Sequence, residues 1–410
     1  MRMQLGSLIT CLFVSFAFAS SAQGTKDSAK VQLENIEVSF LGSYYEQDGN
    51  HSAVTGGVGT EYLTNIAPSV VIKFPIDTVH TINVDGGVDF YSSASSDNIN
   101  NPFGDPNHVS GASAKDERVY VNLGIKKKNN QKHNSKGLSL GVSDEFDVFS
   151  MSVGGSLSKS SKDENNELSV KLKYYFDSWK LIYPIEFRNG DIAHLPTNQR
   201  HSINFSATGS SIINKKMTAS LTSDVVVQSG LLSTPFHRVY FQGATDAAIE
   251  KLPGLRVKFP VGLRFNYYMN DVIRLRTFFR YYADTWGVQG QTVKVELPLK
   301  LHQAFRVIPF YRFHRQTAAN YFGEYKALLG TEEFFTSDFD LSGLSSHKVG
   351  LGVSISPLFG LARVRGVFRK NSITMLKSID LRYANYSRSD GFKANIFTFG
   401  VNFTVQNRKM

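Results

Sequence analysis

Apolar and polar residues alternate repeatedly between Leu252 and His314. In the first repeat, Phe259, Val261 and Leu263 share one register, and the intervening register carries basic residues such as Arg264. Because the side chains of a β-strand point alternately to opposite faces, this pattern predicts strands with one apolar and one basic face. Many such segments of about ten residues are typical of a barrel that faces lipid outside and water inside.

About sixteen segments along the chain (14–18) fit this pattern. The predicted strands are 36–45, 62–74, 80–91, 118–127, 136–145, 148–158, 166–176, 201–208, 217–228, 256–268, 272–283, 291–301, 305–314, 347–355, 375–386 and 394–405. The sequence therefore predicts an all-β fold, a transmembrane antiparallel β-barrel of the outer-membrane type, formed by residues 36–405 as a single domain. About sixteen strands leave room for a water-filled interior.

The lengths of the connections support the same fold. Long connections alternate with short turns, and the long ones are 46–61, 92–117, 177–200, 229–255 and 315–346. If the short turns are periplasmic and the long loops extracellular, both chain ends lie in the periplasm. Three connections depart from this rule: 357–374 is long on the periplasmic side, and 144–149 and 285–290 are short on the extracellular side.

The N-terminus has the pattern of a secretory signal peptide. Arg2 precedes an apolar run from Leu8 to Ala19, and small residues follow as far as Ala22. We expect cleavage after Ala22, with Ala19 as the alternative, so that residues 1–22 are the signal peptide and 23–35 a polar leader. Cys11, the single cysteine, lies in the apolar run. The mature chain then has no thiol, which excludes disulfides, cysteine ligands and cysteine nucleophiles.

Composition changes the expected partners more than the expected fold. The chain of 410 residues has a formal net charge of +10. In a soluble protein this charge would suggest nucleic acid, but in an exported barrel we assign it to the lumen, turns and loops. We expect a bacterial outer-membrane location, with outer-membrane lipid and a small solute as partners and no nucleic acid. A polar tail, 406–410, follows the last predicted strand.

Four loop stretches, 48–61, 230–240, 284–287 and 316–322, resemble the motifs of the bacterial family known as domain of unknown function 3570. The version in this chain resembles members from Bacteroidota, and the similarity covers nearly all of the mature chain. The resemblance implies an exported outer-membrane barrel and no established activity. The residues that carry it are Asp48, His51, Gly56, Gly57, Glu61, Ser233, Pro235, His237, Asp284, Trp286 and Tyr321.

A basic wall is the strongest chemical feature. In the tenth to thirteenth predicted strands, 256–268, 272–283, 291–301 and 305–314, the alternation directs ten basic side chains into the lumen. They are Arg256, Lys258, Arg264, Arg274, Arg276, Arg280, Lys294, Lys300, Arg306 and Arg312. Basic residues lining a pore favour anions. The same alternation directs five acidic side chains inward: Asp85, Asp89, Asp224, Glu296 and Asp380.

The sequence leaves two interpretations of the basic wall open. In the first, the barrel is a porin-like channel or handler of a small, anionic solute. In the second, arginine–carboxylate pairs and loops plug the barrel, and its surface docks a lipoprotein or a secretion component.

Histidines and carboxylates in the loops suggest a divalent metal as a further hypothesis. Asp48, His51 and Glu61 are the best candidate ligands, since His with Asp or Glu can bind zinc or calcium. Their spacing matches no diagnostic metal motif, and solvated side chains or salt bridges between loops are the simpler explanation. No other cofactor is expected.

A hydrolase at the rim is the third functional class. Ser233, His237 and Asp246 supply the residue types of a catalytic triad, but the chain has no G-x-S-x-G motif. Ser233 is explained more simply as the start of a turn before Pro235. We therefore predict that the protein is not an enzyme.

Overall fold

The computed structural model describes residues 34–96, 114–187, 195–366 and 372–407. The described residues from Asn35 onward belong to one compact unit, Asn35–Met410. The predicted signal peptide and its cleavage site lie outside the described residues. In the described part of the chain, no helix is both long enough and apolar enough to cross a membrane.

Twenty strands follow one another in the described ranges. They are β1 Ile36–Gly49, β2 Thr60–Pro75, β3 His80–Ser96, β4 Ala114–Asn129, β5 Asn134–Asp144, β6 Val148–Ser160, β7 Asn166–Lys180, β8 Thr197–Asn214, β9 Met217–Gly230, β10 Arg238–Tyr240, β11 Ala247–Ile249, β12 Leu255–Tyr268, β13 Arg274–Asp284, β14 Gln289–Glu296, β15 Leu299–His302, β16 Phe305–Gln316, β17 Leu344–Ile355, β18 Ala362–Arg365, β19 Ser372–Arg388 and β20 Lys393–Asn407. Single 3₁₀ turns lie at Ala53–Thr55, Ile185–Phe187 and Phe339–Leu341.

The main sheet closes on itself. Neighbouring strands pair antiparallel throughout, and β1 also pairs with β20, from Ile36 opposite Val405 to Asp48 opposite Lys393. Strands β14 and β15 both pair with β16, and β17 and β18 both pair with β19. Each of these two couples therefore occupies a single strand position of the barrel, and we call each strand position a stave. The described residues thus form a closed barrel of sixteen staves, which confirms the predicted fold. Strands β10 and β11 form a separate hairpin within a loop.

A proline interrupts one stave that the sequence pattern predicts to be continuous, at 291–301. Pro298 lies between β14 and β15, and the backbone N–H of Leu297 donates to the carbonyl of Pro309 at 3.0 Å. Because proline has no N–H and a fixed φ, it breaks the ladder at this position. Strand β18, by contrast, lies inside a connection that was predicted without a strand.

The two faces of the wall differ as the alternation requires. On β5, Leu138 and Leu140 are more than half exposed on the outer face, and Gly141 is buried on the inner face. On β20, Phe397 and Phe399 lie outside, opposite Tyr383 and Leu381 of β19. Such a belt of exposed apolar side chains is stable only against lipid.

The C-terminal strand is longer than the sequence predicts. Gln406 pairs with Ile373 and Asn407 with Ser372, so the first two residues of the predicted tail 406–410 belong to β20. Residues 408–410 lie outside the described ranges. Backbone pairing with β19 explains the extension, because a ladder continues as long as a partner strand is present.

Most of the least exposed side chains lie in the loops rather than between the strands. We call the barrel end at Gly49, Gly230, Asp284 and Gln316 the long-loop rim. We call the segments 50–59, 231–254, 285–288 and 317–343 at this rim the loop cap. Of the seven largest side chains that are less than 2% exposed in the described residues, five belong to the loop cap: Val239, Thr55, Thr336, Ser52 and Ser337.

Candidate functional site

One arginine ties the loop cap together across the barrel mouth. Arg238 donates from Nε and Nη2 to the carboxylate of Glu186 at 2.5 and 2.9 Å, and from Nη1 to the carbonyl of Val54 at 2.5 Å. Its own carbonyl accepts from Ser337 Oγ at 2.7 Å. These contacts join three segments of the loop cap, those after β1, β9 and β16, to one another and to the loop that follows β7. Because the loops after β1 and β9 lie on opposite sides of a sixteen-stave barrel, the cap spans the mouth.

A second buried charge holds the cap from within. Glu250 is 4% exposed and accepts hydrogen bonds from the backbone N–H of Thr234 at 2.6 Å and from Thr336 Oγ1 at 2.5 Å. Its other contact is with His237 Nδ1, at 3.2 Å. Glu250 was not among the predicted residues, since nothing distinguishes this acidic residue from others in a long polar loop.

His237 and Asp338 bind protons more tightly in the folded cap than in solution. Burial lowers the pKa of His237, but the hydrogen bond and charge of Glu250, with the charges of Asp338 and Glu61, raise this pKa above its usual value. Burial raises the pKa of Asp338, although the positive charge of His237 opposes this shift. Both shifts have the same sign, so both couple the cap to pH in the same direction.

We predict that the loop cap loosens as the pH rises. The contribution of His237 to cap stability is complete below its unfolded pKa of about 6.5 and is lost as the pH rises through the higher folded value. The contribution of Asp338 to cap stability is likewise complete below its unfolded pKa of about 4 and is lost as the pH rises through its higher folded value. Limited proteolysis of the cap should therefore be faster in mildly alkaline than in mildly acidic buffer, after correction for the protease's own pH profile. The His237→Gln variant should lose the part of this dependence near neutral pH, and an unchanged profile would contradict the assignment.

The opening family motif docks onto a distant loop. Gly56 has φ +81° and Gly57 φ +85°, a backbone conformation that side chains other than glycine rarely adopt. A Cβ on Gly56 would lie 2.5 Å from a ring carbon of Tyr240. His51 Nδ1 lies 3.0 Å from the carbonyl of Gly57, and its ring stacks on Phe339 with centroids 3.9 Å apart. The motif residues thus serve contact between loops.

The predicted metal ligands do not converge. Asp48 lies opposite Tyr62 and Glu61 opposite Gly49, and since successive residues alternate, the two carboxylates are on opposite faces of the sheet. His51 is engaged by its own loop. In the described residues, a different trio of carboxylates, Asp116, Glu145 and Asp147, offers oxygens within 4.8 Å of one another.

The triad residue types are likewise apart. Ser233 Oγ accepts from the backbone N–H of Leu252 at 2.8 Å, and His237 is held by Glu250. Asp246 is exposed in the turn between β10 and β11. Ser233, next to the Pro235 turn, therefore organises backbone, and no nucleophile–base pair forms among these three residues.

Asp284 joins the loop cap to the barrel wall. Its side chain is fully buried, and Oδ2 accepts from Arg256 Nε at 3.0 Å, from Arg256 Nη2 at 2.5 Å and from the Tyr282 hydroxyl at 2.6 Å. Its Oδ1 accepts from the backbone N–H groups of Trp286 and Val288. The Arg256 guanidinium also lies over the Trp286 ring, 4.2 Å from its centroid. Arg256 therefore braces the rim.

Trp286 extends this junction into the cap. Its indole N–H donates to the carbonyl of Leu255 at 3.1 Å, and its ring meets Tyr321 edge to face at 6.2 Å. Gly287 beside it has φ +87° and packs against Asn320. The family-motif residues Asp284, Trp286 and Tyr321 are thus contiguous in space.

A cavity of about 590 Å³ lies on the lumen wall formed by β12, β13, β14 and β16. Six of the ten predicted basic residues line it: Arg264, Arg274, Arg276, Arg280, Lys294 and Arg312. Of the other four, Arg256 and Lys258 lie near the long-loop rim, and Lys300 lies opposite Arg306 near the other rim.

Glu296 is the carboxylate in this cavity wall. Lys294 Nζ lies 2.8 Å from it, Arg382 Nη1 3.1 Å and Arg276 Nη1 3.8 Å. Arg382 of β19 was not predicted, because the predicted basic wall was limited to the strands that correspond to β12–β16 in the structure. The same alternation applied to β17 and β19 would have found it and Lys348.

The other predicted acidic residues are engaged elsewhere or stand apart. Asp89 lies 3.6 Å from Arg118, and Asp380 accepts from Asn402 at 3.1 Å. Asp85 lies on β3, and Asp224 Oδ1 on β9 is buried with no hydrogen-bond partner in the described residues. The cavity is therefore strongly cationic.

The solved structures with a similar fold include two that are described as outer-membrane proteins and one described as a siderophore receptor. The bacterial polysaccharide outer membrane secretin is 9% identical with a TM-score of 0.46, covering 92% of this chain and 100% of its own. The outer membrane protein opdK from Pseudomonas aeruginosa is 7% identical with a TM-score of 0.39, covering 91% and 100%. The siderophore receptor PirA from Acinetobacter baumannii is 11% identical with a TM-score of 0.44, covering 88% and 54%. No curated protein matches the chain.

The family model described as Protein of unknown function (DUF3570) matches residues 15–359. This range contains all four loop stretches on which the resemblance depends, and the predicted family is confirmed. The chain belongs to the family described as Protein of unknown function (DUF3570).

Proposed function

We propose that the protein is an outer-membrane barrel that admits a small anionic solute and selects it at the basic cavity. One observation carries this proposal: six arginine and lysine side chains line a lumen cavity whose wall, in the described ranges, contains a single carboxylate, Glu296. A cationic surface in a low-dielectric barrel attracts anions and repels cations.

The charge balance of the cavity favours passage or binding over simple bracing. Glu296 already contacts three cations, Lys294, Arg382 and Arg276, so its one negative charge cannot neutralise the wall. A braced interior would pair cations and carboxylates in similar numbers. The surplus positive charge is left to be balanced by mobile anions.

The test is the current through planar bilayers that contain the purified protein, with a salt gradient across the membrane. We expect steady conductance and a reversal potential on the anion-selective side. The triple variant Arg280→Gln/Lys294→Gln/Arg312→Gln should shift the reversal potential toward zero or to cation selectivity, because it removes three charges from the cavity.

A matched control removes the same number of charges elsewhere. Lys162→Gln/Lys215→Gln/Lys216→Gln changes three exposed lysines in the turns of the other rim. This variant should keep the anion selectivity. A triple cavity variant with the reversal potential of the parent protein would refute the proposal.

The loop cap supports a second function, docking of a surface lipoprotein or secretion component. The specific observation is that buried ion pairs and hydrogen bonds connect the loop segments to one another across the barrel mouth. These connections hold the outer surface of the cap in one conformation. A folded barrel that passes no current, and that co-purifies with an outer-membrane partner lost on disruption of the cap, would favour this function over the channel.

A further inference from the structure

The lumen cavity continues into a row of cations on three neighbouring staves. Lys294 of β14 lies directly opposite Arg312 of β16, and Arg312 lies directly opposite Lys348 of β17. Residues directly opposite one another share a face of the sheet. Adjacent strands are about 4.8 Å apart, so the three Cα positions span roughly 10 Å.

A fourth cation faces this row. Arg280 of β13 lies opposite Thr292, which in turn lies opposite His314. The residue of β13 directly opposite Lys294 is Phe278. Arg280 lies two residues further along β13, toward the long-loop rim, and so is a diagonal neighbour of Lys294 on the same face. Arg280, Lys294 and Arg312 all line the cavity. Four cationic side chains are therefore gathered on one patch of the wall.

Most of these charges lack a protein counter-ion. In the described part of the chain, no carboxylate lies within 4.0 Å of the charged nitrogens of Arg280, Arg312 or Lys348, and the carboxylate near Lys294 is shared with Arg276 and Arg382. The Nε atoms of both Arg280 and Arg312 are buried and have no hydrogen-bond partner among the described residues. Like charges directly opposite one another on a sheet repel, and unsatisfied buried donors are costly. The arrangement is stabilised when an anion occupies it.

We propose that this row, Lys294–Arg312–Lys348 with Arg280, is a binding site for oxyanions that carry two or more negative charges. The inference deepens the proposed function, on which it rests, by naming the class of solute. Guanidinium groups present a planar fork of donors that fits two oxygens of one oxyanion, whereas lysine acts as a point charge. A doubly charged oxyanion neutralises more of the row than chloride can, and it supplies acceptors to the unsatisfied arginine donors.

The experiment is calorimetric titration of the purified barrel in nonionic detergent free of lipid, so that no lipid phosphate is present. The probes are sodium sulfate and sodium phosphate, each compared with sodium chloride at equal ionic strength. We expect saturable binding of sulfate and phosphate and none of chloride. Equal heats for all three salts at matched ionic strength would overturn the proposal.

Variants assign the binding to these residues. Arg312→Gln and Lys348→Gln should each weaken sulfate binding about tenfold or more, because each removes a charge-assisted contact. Arg312→Lys should lose less, since it keeps the charge and loses only the fork. The control Lys215→Gln, in an exposed turn, should bind as the parent does. Undiminished binding by a folded Arg312→Gln/Lys348→Gln protein would refute the site.

The titration separates this inference from the channel itself, because binding in detergent does not require current in a bilayer. A barrel that binds sulfate but passes no current would refute passage and keep the oxyanion site. A barrel that conducts with anion selectivity but binds no sulfate would refute the oxyanion site alone.

Discussion

Replacing Glu250 with alanine is expected to open the loop cap and leave the barrel folded. The substitution leaves the N–H of Thr234, the hydroxyl of Thr336 and the ring of His237 without their shared buried acceptor. Removing one partner of a buried, hydrogen-bonded ion pair costs about 3–5 kcal/mol. The strands do not depend on these contacts, so the loss should be confined to the cap.

Limited proteolysis followed by mass spectrometry measures this change. Cleavage within 231–254 and 317–343 should become much faster in Glu250→Ala, with the barrel still resistant. Asp246→Ala is the matched control, because Asp246 is an exposed carboxylate in the same hairpin, and it should be cut at the parental rate. Equal protection of the cap in Glu250→Ala and the parent would show that Glu250 does not hold the loops.

The second large effect is expected at Asp284, where alanine should lower the thermal stability of the whole barrel. Asp284 accepts hydrogen bonds from Arg256, Tyr282 and the backbone that follows it, and its removal leaves Arg256 charged and partly buried beside Trp286. We expect a loss of about 3–5 kcal/mol. Because the site joins β12 and β13 to the cap, the loss should affect both parts.

The measurement is the temperature at which the detergent-solubilised barrel loses its folded mobility on a gel. Asp271→Ala, in the exposed turn at the other end of the same hairpin, should leave this temperature unchanged. In the double variant Arg256→Met/Asp284→Ala, the loss should be smaller than the sum of the single losses, since the unpaired arginine is the main cause. Strict additivity would mean that the ion pair contributes nothing of its own.

The barrel was predictable because its pattern is redundant. Each of the sixteen staves repeats the same alternation, and a slip of one residue would turn the apolar set of a strand into the lumen. Leu263, for example, cannot face lipid unless Arg264 faces the interior. The basic cavity followed from the same rule. The interruption at Pro298 was open to prediction as well, from the missing N–H of proline.

The loop cap was not predictable in the same way, because its contacts have no period. Arg238 and Glu186 are 52 residues apart, and Glu250 and Thr336 are 86 apart. Nothing in the local sequence of either residue indicates its partner. The family resemblance selected the right loops, but residue types alone suggested a metal or a hydrolase. The actual role of His237, in contact with Glu250, depends on how the loops fold over the mouth.

The pairing of β1 with β20 has a consequence for biogenesis. Ser39 Oγ donates to Asn402 Oδ1 across a separation of 363 residues, so the first stave finds its partner only after the last has been delivered. Until then β1 and the growing end of the sheet expose unpaired backbone edges, which are templates for aggregation. Among the described strands, the pairing of β1 with β20 also has the greatest sequence separation, and such contacts form slowly. The unpaired edges therefore stay exposed for as long as the circle takes to close, which makes closure the step at which this chain is most prone to aggregate.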